Sequence, residues 1–135
     1  MKYIIKNVVA DYDHKYDPDT ANNGGNYWQF GGSCTVELAD GAIISAKFDD
    51  SSCGDFGSRS QLTITVKGQK LLLWEDEVDG RQDEADEENA QTLAQLERLI
   101  GCYPCDLVND IVDTISGAAY NRYLGERNAE EEEEA

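Results

Sequence analysis

The sequence predicts an α+β fold: an antiparallel sheet of about five strands with two C-terminal helices packed on one face. Three observations lead there. Apolar residues alternate with polar ones at period two as far as Val78, and from Asp86 onward they recur at about 3.6. The breaks between the early segments are mostly of hairpin length, which favours a meander. No segment alternates strand with helix, so a doubly wound sheet is not expected, and there is no internal repeat.

Lys2 to Val9 is rich in Tyr, Ile and Val and reads as the first strand. Asp11 to Asn26 reads as a long loop, with Pro18 and the pair Gly24-Gly25. Tyr27 to Leu38 reads as the second strand, bent or bulged at Gly31-Gly32. Asp40-Gly41 is a hairpin signal, and Ile44, Ala46 and Phe48 alternate beyond it. Asp49 to Arg59 reads as a second polar loop. Leu62, Ile64 and Val66 mark a half-buried strand, and Lys67-Gly68-Gln69 a short turn into the strand Lys70 to Val78.

The first helix is expected over Asp86 to Ile100, with Leu93, Leu96 and Ile100 on one stripe and Gly101 as its stop. Pro104 suits the first position of the second helix, whose apolar face is Leu107, Val108, Ile111, Val112, Ile115 and Ala119. That helix is expected to end near Leu124, with Gly125 as its cap. The domain is therefore expected over residues 1–128, followed by a disordered acidic tail over 129–135. A chain of 135 residues, 40% of them hydrophobic, is long enough to bury a core without staples.

The formal charge is −17, from 28 acidic and 11 basic residues. Such a surface repels phosphates and anionic membranes, so direct binding to nucleic acid or membrane is disfavoured, and a basic partner or a cation is favoured. No apolar stretch approaches a membrane span, and no targeting segment is recognisable, so a cytoplasmic location is expected.

The charge is concentrated. Glu75, Asp76, Glu77, Asp79, Asp83, Glu84, Asp86, Glu87 and Glu88 leave a net −8 within 14 residues, against a single base, Arg81. Residues 126–135 hold a further −5, so these two segments contain 13 of the 17 excess charges. The first segment is tethered between a strand and a helix. Its nine acids are the candidate partner-binding residues, because a held row of carboxylates presents charge as a nucleic acid does and accepts bidentate arginine bonds. The bland reading is that the acids keep the chain soluble.

No catalytic residues, metal ligands or cofactor are assigned, and no small-molecule substrate is expected. His14 is the only histidine and sits among aspartates, which gives poor support to a Ser-His or Cys-His site. The stretch Asp11 to Asp19 alternates acids but departs from a calcium loop at Lys15. Cys34 and Cys53 supply no second close pair to complete a zinc site with Cys102 and Cys105. Tyr27, Trp28 and Phe30 form an aromatic cluster that is either core or a partner anchor.

Two resemblances follow from these residues. Cys102-Tyr103-Pro104-Cys105, at the start of a helix, resembles the active-site turn of the thioredoxin family, which implies thiol–disulfide chemistry as an alternative function. In that family a strand precedes the motif, whereas here a helix does. In size, acidity and lack of catalytic residues, the chain resembles small phage and mobile-element inhibitors of the anti-CRISPR and DNA-mimic type. That likeness implies a non-enzymatic inhibitor occupying the basic nucleic-acid-binding surface of a partner such as an RNA-guided nuclease. The other alternative is a protein-interaction module whose acidity serves solubility.

Overall fold

The structure, a computed structural model, describes residues 2–12, 27–53, 58–77 and 80–134. Five strands precede two helices: β1 (Tyr3–Tyr12), β2 (Tyr27–Leu38), β3 (Ile43–Cys53), β4 (Ser58–Val66), β5 (Gln69–Asp76), α1 (Gln82–Ile100) and α2 (Cys105–Glu134). The strands pair antiparallel in chain order, which is the meander that short turns produce. At the β2–β3 turn, Asp40 Oδ1 accepts the Ala42 N–H at 2.9 Å and Gly41 takes φ +87°. The β4–β5 loop is two residues, Lys67 and Gly68, both with positive φ, which matches the strands' twist.

The register builds the core. Cys34, Ala46, Ile64 and Leu71 stand side by side across β2 to β5, as do Val36, Ile44 and Val66, and all are buried. Both helices lie on this face. Leu96 and Ile100 of α1 join Leu107, Ile111 and Ile115 of α2 in one cluster with the sheet. Burying each such side chain stabilises the fold by about 1.5–3 kcal/mol. The other face is uncovered among the described residues and is largely polar. Thr35, Ser45 and Thr65 align there, with Ile4, Val9, Ile43 and Leu72 exposed among their neighbours.

A close approach fixes α2 on the sheet. A Cβ at Gly32 would stand 2.3 Å from the Val9 carbonyl oxygen and 2.9 Å from Ile115 Cγ2. The glycine read as a bend is thus the floor under Ile115. The bulge itself lies in β1, where the register shifts between Lys6 and Val9 and Asn7 takes φ +57°. Its Nδ2 donates to Thr35 Oγ1 at 2.8 Å, which ties the irregular backbone to β2.

Both edges of the sheet are bonded by a helix side chain. Asn89 of α1 accepts the Trp74 N–H at 3.0 Å and donates to the Trp74 carbonyl at 2.8 Å. Arg122 of α2 donates to the Ala10 carbonyl at 3.0 Å. These bonds occupy main-chain groups that an added strand would use.

Several boundaries differ from expectation. β1 reaches Tyr12, because Tyr12 pairs with Phe30 and its ring packs on Tyr123 at 5.2 Å. The predicted loop Asp49–Arg59 is strand from both sides, with Asp50 opposite Ser60 and Ser51 opposite Arg59. These residues lack apolar alternation, yet they continue a hairpin between two outer neighbours that satisfy its backbone. β5 ends at Asp76 rather than Val78. α1 starts at Gln82, because Ala85 is buried and carries the inward face a turn earlier. Pro104 directly precedes α2 and its carbonyl accepts the Val108 N–H at 3.0 Å, a capping position.

The backbone of α2 runs past Leu124 and Gly125 to Glu134, continuous across the expected boundary at 128/129. A single glycine costs a helix only about 1 kcal/mol, and Glu126 supports this turn by pairing with Arg122 at 3.2 Å. Among the described residues, no helix is long and apolar enough to cross a membrane.

Candidate interaction site

The acidic segment divides between β5, the turn after it and α1. Glu75 and Asp76 point to opposite faces of β5, as strand alternation requires. Glu75 shares the helix-side face with Ser60, its partner in register. Asp76 faces the other way, is only 4% exposed, and pairs with Arg59 at 3.3 Å. It anchors the end of the sheet and offers little surface to a partner. Glu77 continues the ladder through its N–H to the Ser58 carbonyl at 2.9 Å, and its carboxylate accepts from Ser58 Oγ at 3.3 Å. Asp79 lies outside the described residues.

The other five acids occupy the first two turns of α1, and all are exposed. Asp83 and Glu84, rather than Asp86 to Glu88, form the first turn, where the positive end of the helix dipole favours them. Three of the five have local partners. Glu84 pairs with Arg81 at 3.1 Å, Asp86 accepts from Gln82 Nε2 at 2.8 Å, and Glu88 accepts the indole N–H of Trp74 at 2.6 Å. The Arg81 guanidinium lies 4.8 Å from the centre of the Trp74 ring, a cation–π contact. Trp74, Arg81 and Asn89 therefore hold the acidic turns against the sheet edge, and the sequence reading assigned none of them this role. Trp74 closes the apolar run Leu71 to Trp74 in the sequence, but strand alternation puts it on the face opposite Leu73.

A groove of about 460 Å³ opens beside this site, between the two helices and over the helix-side face of the sheet. Its floor is Phe48, Leu62 and Leu73, and its walls include Leu93 of α1 and Val108 and Val112 of α2. One register step further along the sheet the same face turns polar, where Asp50, Ser60 and Glu75 lie in a row across β3, β4 and β5. Period-two counting from Phe48, Leu62 and Leu73 places these three on one face. The signal was in the sequence, but Asp50 and Ser60 fell in a segment read as loop.

The remaining candidates are placed as follows. Cys102, in the connection after α1, and Cys105, the first residue of α2, are not joined in a disulfide, and the element before the motif is a helix. The Tyr103 phenol is raised above its ordinary value, chiefly by its hydrogen bond to Cys105. Cys34 is buried in β2, which pushes its thiol up. The side chain of Cys53 lies outside the described residues, as do His14 and Asp13 to Asp19. Among the described residues, no three His, Cys, Asp or Glu side chains converge as metal ligands. Of the aromatic cluster, the Tyr27 and Trp28 side chains lie outside the described residues. Phe30 packs edge-on against Tyr12 and Tyr120, with ring centres 6.5 and 6.3 Å away. Comparison with protein families, with curated proteins and with solved structures finds no match.

Proposed function

We propose that this protein is a non-enzymatic inhibitor that binds a basic nucleic-acid-binding surface on another protein, such as the channel of an RNA-guided nuclease, and excludes the nucleic acid. The observation that carries the reading is the run Asp83, Glu84, Asp86, Glu87 and Glu88 in α1. A helix rises 1.5 Å per residue, so these five carboxylates present about one charge per 1.5–2 Å of axis. B-DNA presents about one per 1.7 Å, and lysine- and arginine-lined clefts suit that density. The turns are held by Trp74 and Asn89, so binding costs less ordering entropy than a free acidic tail would. Glu75 and Glu77 flank this surface; Asp76 does not belong to it.

The competing reading, an interaction module whose acids serve solubility, is favoured by the local partners of Glu84, Asp86 and Glu88. A displacement assay separates the two. Labelled duplex DNA is bound to purified RNA-guided nucleases at about 0.15 M salt, and its release is followed by fluorescence polarisation. The native protein is expected to release DNA from at least one of them, and the variant with all five α1 acids changed to amides to release none. Equal release by both proteins, or release by neither across the panel, contradicts mimicry by α1.

A further inference from the structure

We infer that the open face of the sheet is the contact surface between two copies of this chain, packed face to face about a two-fold axis that crosses the strands. This holds whatever α1 binds. The chain carries −17, yet the open face carries no net charge. Strand alternation puts four bases on it, Lys6, Lys47, Arg59 and Lys70, and four acids, Asp11, Glu37, Asp49 and Asp76. Ion pairs within the chain, such as Lys6 with Glu37 and Arg59 with Asp76, leave that sum unchanged. The whole excess belongs to other residues, so a second copy meets the least repulsion here.

The charges are also sorted along the strands. As far as the row Val9, Ser33, Lys47, Thr63 and Leu72, the face holds three lysines against Glu37, a net +2. From the next row, Asp11, Gly31, Asp49, Gln61 and Trp74, it holds three aspartates against Arg59, a net −2. A two-fold axis across the strands, between these two rows, lays each half on the opposite half of the second copy. Lys47 of each copy, on the central strand, then stands over Asp49 of the other, and Leu72 over Trp74. An axis along the strands would set Lys47 on Lys47 and Asp49 on Asp49, so the charge pattern selects the first arrangement. Gly31 keeps Asp49 open to this contact, since a Cβ there would come within 2.9 Å of Asp49 Oδ1. The hollow over Gly31, of about 540 Å³ and bordered by Ser33, Lys47 and Asp49, has room for a lysine stem. Four rows across five strands overlap, about 27 by 24 Å at strand spacings. Counting both copies, that buries about 1,300 Å², within the range of stable interfaces. Val9 and Leu72, 65% and 44% exposed, are covered at its two sides.

The test is sedimentation equilibrium of the full chain. At about 0.15 M salt, a dimer is expected with a dissociation constant in the micromolar range or below. Lys47→Glu and Asp49→Lys, both at exposed positions, should each weaken it at least about tenfold, because each sets like charge on like. An equimolar mixture of the two variants restores opposite charge at both contacts and should dimerise as the native chain does. The chain carrying both changes should do the same. Loss of fold cannot produce that rescue. If one single variant fails to fold, the other, compared with the double variant, decides. A native chain that stays monomeric well above micromolar concentration overturns the inference. So does a dimer that neither variant weakens, or one that is weakened but restored by neither the mixture nor the double variant.

Discussion

α1 and α2 lie against the same face of one sheet, but different forces hold them there. α2 packs across β1, β2 and β3. It does so through Leu107, Ile111, Ile115, Ala119 and Tyr123, every one of them buried. α1 packs on the edge strand β5, buries only Ala85, Leu96 and Ile100, and is bonded there by the Asn89 amide. The helix with the continuous apolar face is the one the core depends on. The helix with few buried residues is free to carry charge on the rest of its surface. Structure and interaction are thus divided between neighbouring elements, so each can be changed with limited effect on the other.

The sharpest way to break this division is to strike α2. Ile111→Ala removes a side chain that is fully buried and should cost about 2–5 kcal/mol in a denaturant melt. A loss under about 1 kcal/mol would mean that α2 is not the main structural helix. Gly32→Ala attacks the same contact from the sheet. The new methyl meets the Val9 carbonyl and Ile115, so a loss of about 1–3 kcal/mol is expected. Gly125→Ala, where a Cβ meets nothing within 4 Å, is its control and should be neutral or slightly stabilising.

On the α1 side the expected losses are smaller. Asn89→Ala strips the Trp74 N–H and carbonyl of their partners at a partly buried edge, and should cost about 1–2 kcal/mol. Hydrogen exchange at the Trp74 amide should rise more than at the Ile64 amide in the middle of the sheet. Exchange rising equally at both would mean that α1 is bound to the core as tightly as α2.

The β1 contact of α2 has a pH signature. The Tyr3 phenol is pushed up to about 12, first by its hydrogen bond to Asp110 and then by burial and by the Asp110 charge. A phenol held protonated in the folded state stabilises it below pH 10, and that contribution is lost as pH rises from 10 through 12. Tyr3→Phe should therefore lower stability at pH 8, and its difference from the native chain should shrink above pH 10. A constant difference across that window would show that the bond to Asp110 does not link stability to pH.

The smallest effect sharpens the comparison most. Changing Asp83, Glu84, Asp86, Glu87 and Glu88 to amides removes favourable charge at the helix start together with the like-charge pairs Asp83/Glu87 and Glu84/Glu88. These oppose one another, so stability should move by no more than about 0.5 kcal/mol. The variant should still lose the proposed partner binding. A large loss of stability would show that the acids of α1 are structural.

Much of this architecture was legible residue by residue. Ile44, Ala46 and Phe48, then Leu62, Ile64 and Val66, alternate cleanly enough to fix both their strands and their inward face. Asp40-Gly41 and Lys67-Gly68 mark hairpin turns. Leu96, Ile100, Ile111 and Ile115 repeat at helical spacing and are core. Where the reading went astray, the local signal was missing. Asp49 to Ser52 and Ser58-Arg59 contain no apolar residue to betray a strand. The nine acids of the candidate site look alike in the sequence, yet Asp76 is buried against Arg59 while Asp83 and Glu87 face solvent.

What the sequence by itself determined is what nearest neighbours along the chain can decide: the periods, the turns, the order of five strands and two helices, and where the charge concentrates. What only the tertiary structure decided depends on residues distant in the chain. Arg59 meets Asp76, Asn89 meets the backbone of Trp74, and Arg122 meets Ala10. The groove needs β3, β4 and both helices at once. The physical reason is that a side chain's charge and polarity are its own, whereas its exposure and its partner are set by whatever the fold brings beside it.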